Sequence, residues 1–224
     1  MNGFRLLKAP FIIARDLVKL VIVYTPGSLG VVMRSAYYRR KFKKCGRNIT
    51  IDVGVIINSP EMISVGDNVH IDKYCIISTG KKLLGKIKRK DNLHFKHEIG
   101  EVVIGSNVHL VEFCIVSGYG GVAIGDNCTL SAGTKIYSLS NLPYDPDDRK
   151  RVVSIMPYEQ APFILSPVVL HQNVWAGLQV LIMPGITIGK NSFVTSNSLV
   201  MGEFSENSYL AGQPAKKIRN RYEL

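Results

Sequence analysis

The sequence has no CxxC pair, a single tryptophan, no unbroken apolar run of membrane-spanning length, and 17 acidic residues against 28 basic ones. Each shortage excludes something. The four cysteines, Cys45, Cys75, Cys114 and Cys128, stand too far apart for a zinc ribbon. The apolar stretch Phe11 to Tyr24 is broken by Arg15, Asp16 and Lys19. A hydrocarbon span requires roughly 20 mostly apolar residues, so this stretch reads as an amphipathic helix, and no secretory signal is read before it. The net charge of +11 favours anionic partners such as phosphorylated cofactors or anionic lipid. The basic residues cluster at the two ends without a nucleic-acid reading module, so nucleic acid is not expected as a partner. With 46% hydrophobic and 20% charged residues in 224, the chain is expected to fold rather than to remain disordered.

What is present is a period of six. Gly66 to Ser78 (GDNVHIDKYCIIS) matches Gly105 to Ser117 (GSNVHLVEFCIVS), and a third copy opens at Gly125 (GDNCTL). Aliphatic residues recur at Val65, Ile71, Ile77; at Ile104, Leu110, Val116; at Ile124, Leu130, Ile136; and at every sixth residue from Leu170 to Val200. Four places after each unit's first residue comes a small or β-branched side chain, and Cys75, Cys114 and Cys128 fall in that slot. One short strand per hexad and three hexads per turn make an all-β parallel coil in the form of a triangular prism. The aliphatic points inward, the small residue fits beside it, and Gly or Asn takes the left-handed corner. The cysteines are therefore expected in the core of a protein from a reducing compartment.

Two segments break the period, 80–100 and 138–167. Insertions in a coil project as loops and are the first places to look for chemistry. Residues 1–47 read as a basic helical cap, residues 48–221 as the coil, and the basic tail Lys216 to Arg221 as a short C-terminal helix. His70 and His109 occupy equivalent repeat positions and read as corner residues.

Three segments carry a resemblance: Val174-Trp-Ala-Gly177, Met183-Pro-Gly-Ile-Thr-Ile-Gly-Lys-Asn191, and Ala211-Gly-Gln-Pro-Ala-Lys-Lys-Ile-Arg219. They resemble the closing coils of the hexapeptide-repeat acyltransferases, of the sugar O-acetyltransferase type. The likeness runs from about Ile49 to Arg221, and Pro26-Gly-Ser-Leu-Gly30 with Arg34 looks like the cap of members that modify surface polysaccharides. The resemblance implies a left-handed β-helix, a homotrimer, and acetyl-CoA as acyl-donor cosubstrate in a groove between neighbouring prisms. It places Trp175 near the acceptor, Gly177 and Ser196 beside the pantetheine arm, and Lys216 and Arg219 near the phosphates, where their charge suits them. A lysine found after the last strand in some relatives is here Gly202.

In that family a histidine in the loop after the strand ending near Ile136 takes the proton of the acceptor hydroxyl. Here the matching residue is Asn141, with Ser140 beside it and Tyr144 and Asp145 following. An amide cannot act as a general base, although it can position a hydroxyl or stabilise an oxyanion. The replacement base is expected from His94 or His97 in the first insertion, across a subunit interface, or from Asp145; His171, preceding the corner before Trp175, is a further candidate. Ser140, Tyr144 and Trp175 are expected on the acceptor side.

The resulting expectation is an enzyme that transfers an acetyl group to a sugar hydroxyl of a surface polysaccharide or its lipid-linked precursor. It would lie in the cytoplasm, at the inner face of the membrane through its basic N-terminus. The competing expectation is a non-catalytic β-helix that binds acyl-CoA or a partner as a scaffold. The spacing of His70, His94, His97 and His109 does not resemble the three-histidine zinc site of γ-class carbonic anhydrases, so no metal is expected.

Overall fold

The computed structural model describes residues 9–81, 86–144 and 160–223. Two helices, α1 (Ala9–Tyr24) and α2 (Gly27–Arg39), precede a coil that passes through three parallel sheets in strict rotation. The first sheet stacks Lys44–Cys45, Ile63–Val65, Val102–Ile104, Val122–Ile124, Val168–Leu170 and Thr187–Ile188. The second stacks Thr50–Ile51, His70–Ile71, His109–Leu110, Thr129–Leu130, Trp175–Ala176, Phe193–Val194 and Ser208–Gly212. The third runs from Ile56–Asn58 through Ile76–Ser78, Ile115–Ser117, Lys135–Tyr137 and Leu181–Ile182 to Leu199–Val200.

Every hexad aliphatic from Val65 to Val200 named above is buried, and so is every small-slot residue, including Cys75, Cys114, Cys128, Thr134, Ser192 and Ser198. The slot tolerates a polar atom because a backbone carbonyl lies within reach. Thr134 Oγ1 donates to the Gly177 carbonyl at 2.9 Å, and Cys75 Sγ to that of Val111 at 3.1 Å. Burial pushes the Cys128 thiol up to about 11. The Cys75 contact, with burial, pushes that of Cys114 up as well.

The corner between the first and second sheets is a column of asparagines. Asn48, Asn68, Asn107, Asn127, Asn173, Asn191 and Asn207 all take φ between 56° and 60°. Asn is the side-chain-bearing residue that best tolerates this left-handed region. Successive amides also donate along the column, from Asn48 to Asn68 and from Asn68 to Asn107 at 3.0 Å each, and from Asn107 to Asn127 at 3.1 Å.

The cap is fastened by Arg34, which is fully buried. Its Nη1 donates to the Thr25 carbonyl at 2.7 Å and its Nε to that of Ile51 at 2.9 Å, so one side chain joins α1, α2 and the first coil. Gly30 permits the approach, since a Cβ there would lie 1.9 Å from the Thr25 carbonyl oxygen. The first strand of the coil, Lys44–Cys45, already lies within the segment read as cap. On α1, Ile12, Ile13, Leu17, Val18, Leu20 and Val21 are exposed. Among the described residues no helix is long and apolar enough to cross a membrane.

Two expectations are corrected. The tail is not a helix: Ala215–Asn220 is a strand, antiparallel to Ser208–Gly212, that closes the last edge of the second sheet. A helix would leave that edge's backbone groups unpaired. The insertions are not simply loops either. Leu139–Asn141 pairs antiparallel with Pro162–Leu165, which pairs parallel with Lys86–Arg89, so both insertions share one three-stranded sheet. Buried Asn92 anchors the first of them, donating from Nδ2 to Thr187 Oγ1 at 2.9 Å and to the Pro167 carbonyl at 3.1 Å.

Candidate functional site

Side chains alternate along a strand, so residues in register on stacked strands form one outward row. On the second sheet that row reads Thr50, His70, His109, Thr129, Trp175, Phe193, Tyr209, Arg219. Its later half is an aromatic stack. Trp175 meets Phe193 edge-on with centroids 5.6 Å apart, Phe193 meets Tyr209 at 5.2 Å, and the Arg219 guanidinium sits 4.5 Å from the Tyr209 ring centroid. Cation–π contact holds the guanidinium against the ring while the residue stays exposed to solvent. Lys216 lies opposite Ala211 on the same hairpin. Arg221 ties the tail down by donating to the Asn173 carbonyl at 3.1 Å.

Gly177 and Ser196 lie together at the corner between the second and third sheets. A Cβ on Gly177 would stand 2.8 Å from the Ser196 amide nitrogen, so stacking of adjacent coils alone requires glycine there. Ser196 Oγ accepts from the Leu178 amide at 3.1 Å. The same corner continues into an apolar groove of about 510 Å³ lined by Tyr74, Ile76, Phe113, Ile115, Ala132 and Leu178. Tyr74 and Phe113 stack at 5.7 Å and adopt φ of 59° and 62°, where Gly54 and Gly133 stand in other coils. An aromatic residue in the left-handed region is uncommon. Sequence reasoning overlooked the pair, although its signal was the Tyr or Phe before each slot cysteine in the two matched repeats.

The candidate bases lie elsewhere. Asn141 is exposed on the insertion sheet, paired with Phe163; Ser140 is paired with Ile164, and Tyr144 follows. Asp145 lies outside the described residues. His94 packs edge-on against His171, centroids 5.6 Å apart, and both line a cleft of about 690 Å³ with Thr187, Lys190, Glu203 and Phe204. Burial, and then repulsion from His94, holds the His171 imidazole below the usual histidine range. His97 is set apart from this pair, edge-on to Phe95 at 5.5 Å. Within one chain the cleft is bordered by residues of the first sheet and of the corner that follows it, whereas Trp175, Gly177 and Ser196 belong to the second sheet and the corner beyond it.

His70 and His109 are not corner residues. They sit on strands of the second sheet, in register with each other, beside Asp72. The repeat placed them correctly relative to each other but not relative to the sheet.

No protein-family model matches the chain. It is 33% identical to galactoside O-acetyltransferase of Escherichia coli over 98 residues, 44% of this chain and 43% of that protein. It is 26% identical to a dTDP-4-amino-4,6-dideoxy-D-glucose acyltransferase of Escherichia coli over 180 residues, 80% and 83% of the two chains. Its curated relatives are acetyltransferases and an amino-sugar acyltransferase, and a hexapeptide-repeat-containing acetyltransferase of Vibrio cholerae resembles it in fold, with a TM-score of 0.54 at 21% identity over 93% of this chain and 85% of that one. The chain spans less than half the length of the relatives it matches above 30% identity. The chain shares its fold with a variant of AntD, an N-acyltransferase from Bacillus cereus, crystallised with dTDP-4-amino-4,6-dideoxyglucose and coenzyme A. That likeness has a TM-score of 0.66 at 23% identity and covers 85% of this chain and 89% of that one.

Proposed function

We propose that the chain is an acyl-CoA-dependent transferase that acetylates a sugar hydroxyl of a surface polysaccharide or its lipid-linked precursor. It would act as a left-handed β-helix assembled into a homotrimer. The observation that carries this reading is the continuous surface on the second sheet and its far corner. There Arg219 and Lys216 offer charge to phosphates, Gly177 and Ser196 form a corner at which a pantetheine arm would pass, and the Tyr74–Phe113 groove continues the same corner. Galactoside acetyltransferase, a structural neighbour, has been crystallised with coenzyme A, which supports acetyl-CoA as cosubstrate here.

The base in this reading is the His94–His171 pair of a neighbouring subunit. A base must be neutral to accept a proton, and both burial and the second imidazole favour neutral His171. Asn141, with Ser140, Tyr144, Trp175 and Asp145, then positions the acceptor. Contact with anionic lipid at the inner face of the membrane would run through the exposed apolar side chains of α1 beside Arg15 and Lys19. Flotation with anionic vesicles tests that part by itself, and protein that stays at the bottom of the gradient rejects it.

The deciding experiment is calorimetry with acetyl-CoA, followed by an acceptor screen. Binding weakened by Arg219→Ala, and transfer lowered about 100- to 10,000-fold by His171→Ala, is the expected result. Binding without transfer to any sugar leaves the acyl-CoA-binding scaffold. No binding at millimolar donor removes the donor groove altogether.

A further inference from the structure

Asp72 lies between two imidazoles. His70 and Asp72 are two residues apart, so both side chains leave the sheet on its outer face. His109, on the next strand, is the register partner of His70. His70 Nε2 stands 3.2 Å from Asp72 Oδ1, and His109 Nε2 stands 2.9 Å from Asp72 Oδ2. The two rings stack nearly parallel, centroids 5.1 Å apart with planes at 16°. One donor atom from each of the three residues can be chosen so that all lie within 4.8 Å of one another.

Two imidazoles and a carboxylate are a donor set suited to divalent transition metals, and three ligands leave further positions for water. Metal–nitrogen and metal–oxygen bonds of about 2.0–2.2 Å imply neighbouring donor atoms about 3–3.5 Å apart. Both His–Asp separations lie at or close to that range, and rotation of the two half-exposed imidazoles out of their stack would turn both Nε2 lone pairs toward one ion. The carboxylate side chain is only 15% exposed, whereas the imidazoles are 50% and 43% exposed. The anion is thus held in place while the side facing solvent stays open. A metal would replace the two imidazole protons that otherwise satisfy the carboxylate.

We propose that His70, Asp72 and His109 bind one divalent transition-metal ion of the zinc class on the outer face of the second sheet. The site shares its row with Trp175, two strands along through Thr129, or about 10 Å at the usual strand spacing. It does not depend on the transferase reading, and its test uses no acyl donor.

Full-length protein freed of metal with chelator is titrated with Zn²⁺ by calorimetry and with Co²⁺ by visible absorption. One ion per chain is expected, with histidine NMR signals of His70 and His109 shifting and those of His94, His97 and His171 unmoved. His109→Ala and Asp72→Asn should each weaken the affinity roughly tenfold or more. Cys45→Ser and His97→Ala should leave it unchanged. His70→Gln, at an exposed position, serves as the ligand variant if Asp72→Asn proves poorly folded by circular dichroism. No saturable binding up to about 0.1 mM metal, or binding that survives both His109→Ala and His70→Gln, overturns the site.

Discussion

The indole nitrogen of Trp175 donates to Ser131 Oγ at 3.0 Å, reaching to the residue just past the Thr129–Leu130 strand of the adjacent coil. That bond fixes the ring edge-on to Phe193 while leaving the residue 47% exposed. A held but accessible ring is a suitable contact surface for a ligand, because little side-chain entropy remains to be lost.

Since Trp175 is the only tryptophan, its fluorescence reports on this surface alone. Addition of acetyl-CoA should change the emission saturably, with Arg219→Ala shifting the midpoint about tenfold, or 1.4 kcal/mol. An emission spectrum that is indifferent to ligand while calorimetry shows binding would place the donor elsewhere.

Arg34 should be the most sensitive residue of the cap. Arg34→Met leaves several buried carbonyls without a donor, at about 1–3 kcal/mol for each group left unsatisfied. Thermal unfolding should shift down by about 6–12 °C if the net loss is about 3 kcal/mol. A shift under a degree would show that water reaches those carbonyls.

The asparagine column predicts a distinction between two substitutions. Asn107→Gly keeps the left-handed backbone and loses only the amide bonds, whereas Asn107→Ala also strains φ. The alanine variant should lie about 1–2 kcal/mol below the glycine variant. Denaturant melts of the pair measure the gap directly.

Cys128 makes stability depend on alkaline pH. Its thiol is raised from 9.0 to about 11 by burial, so between those values the folded chain holds a proton that the unfolded chain has released. Stability from this group is full below pH 9 and is lost as pH rises through 11, by about 2–3 kcal/mol. Cys128→Ala should flatten that part of the curve. The thiol should also resist maleimide until the protein unfolds.

His171 acts in the opposite sense at acid pH. Because burial and His94 lower it, the unfolded chain takes up a proton first, and stability falls as pH drops below the ordinary histidine range. An NMR titration should find its midpoint raised in His94→Ala. A midpoint unmoved by that substitution would show that burial alone sets it.

The sequence by itself determined the prism. A six-residue period fixes which side chain faces inward regardless of what surrounds the chain, so the buried aliphatics, the three slot cysteines and the Asn corners could be read before any coordinates. The outward face was not legible, because its residues are constrained by register between coils and not by the period. The row from His70 to Arg219, the meeting of His70 with Asp72 and His109, and the Tyr74–Phe113 stack each join residues from different turns of the coil. The insertions carried no period at all. Only their pairing with each other, and the seat of Asn92 on Thr187, brought His94 to His171. The tail became a strand because the last edge of the sheet required a partner, a demand that its own residues do not express.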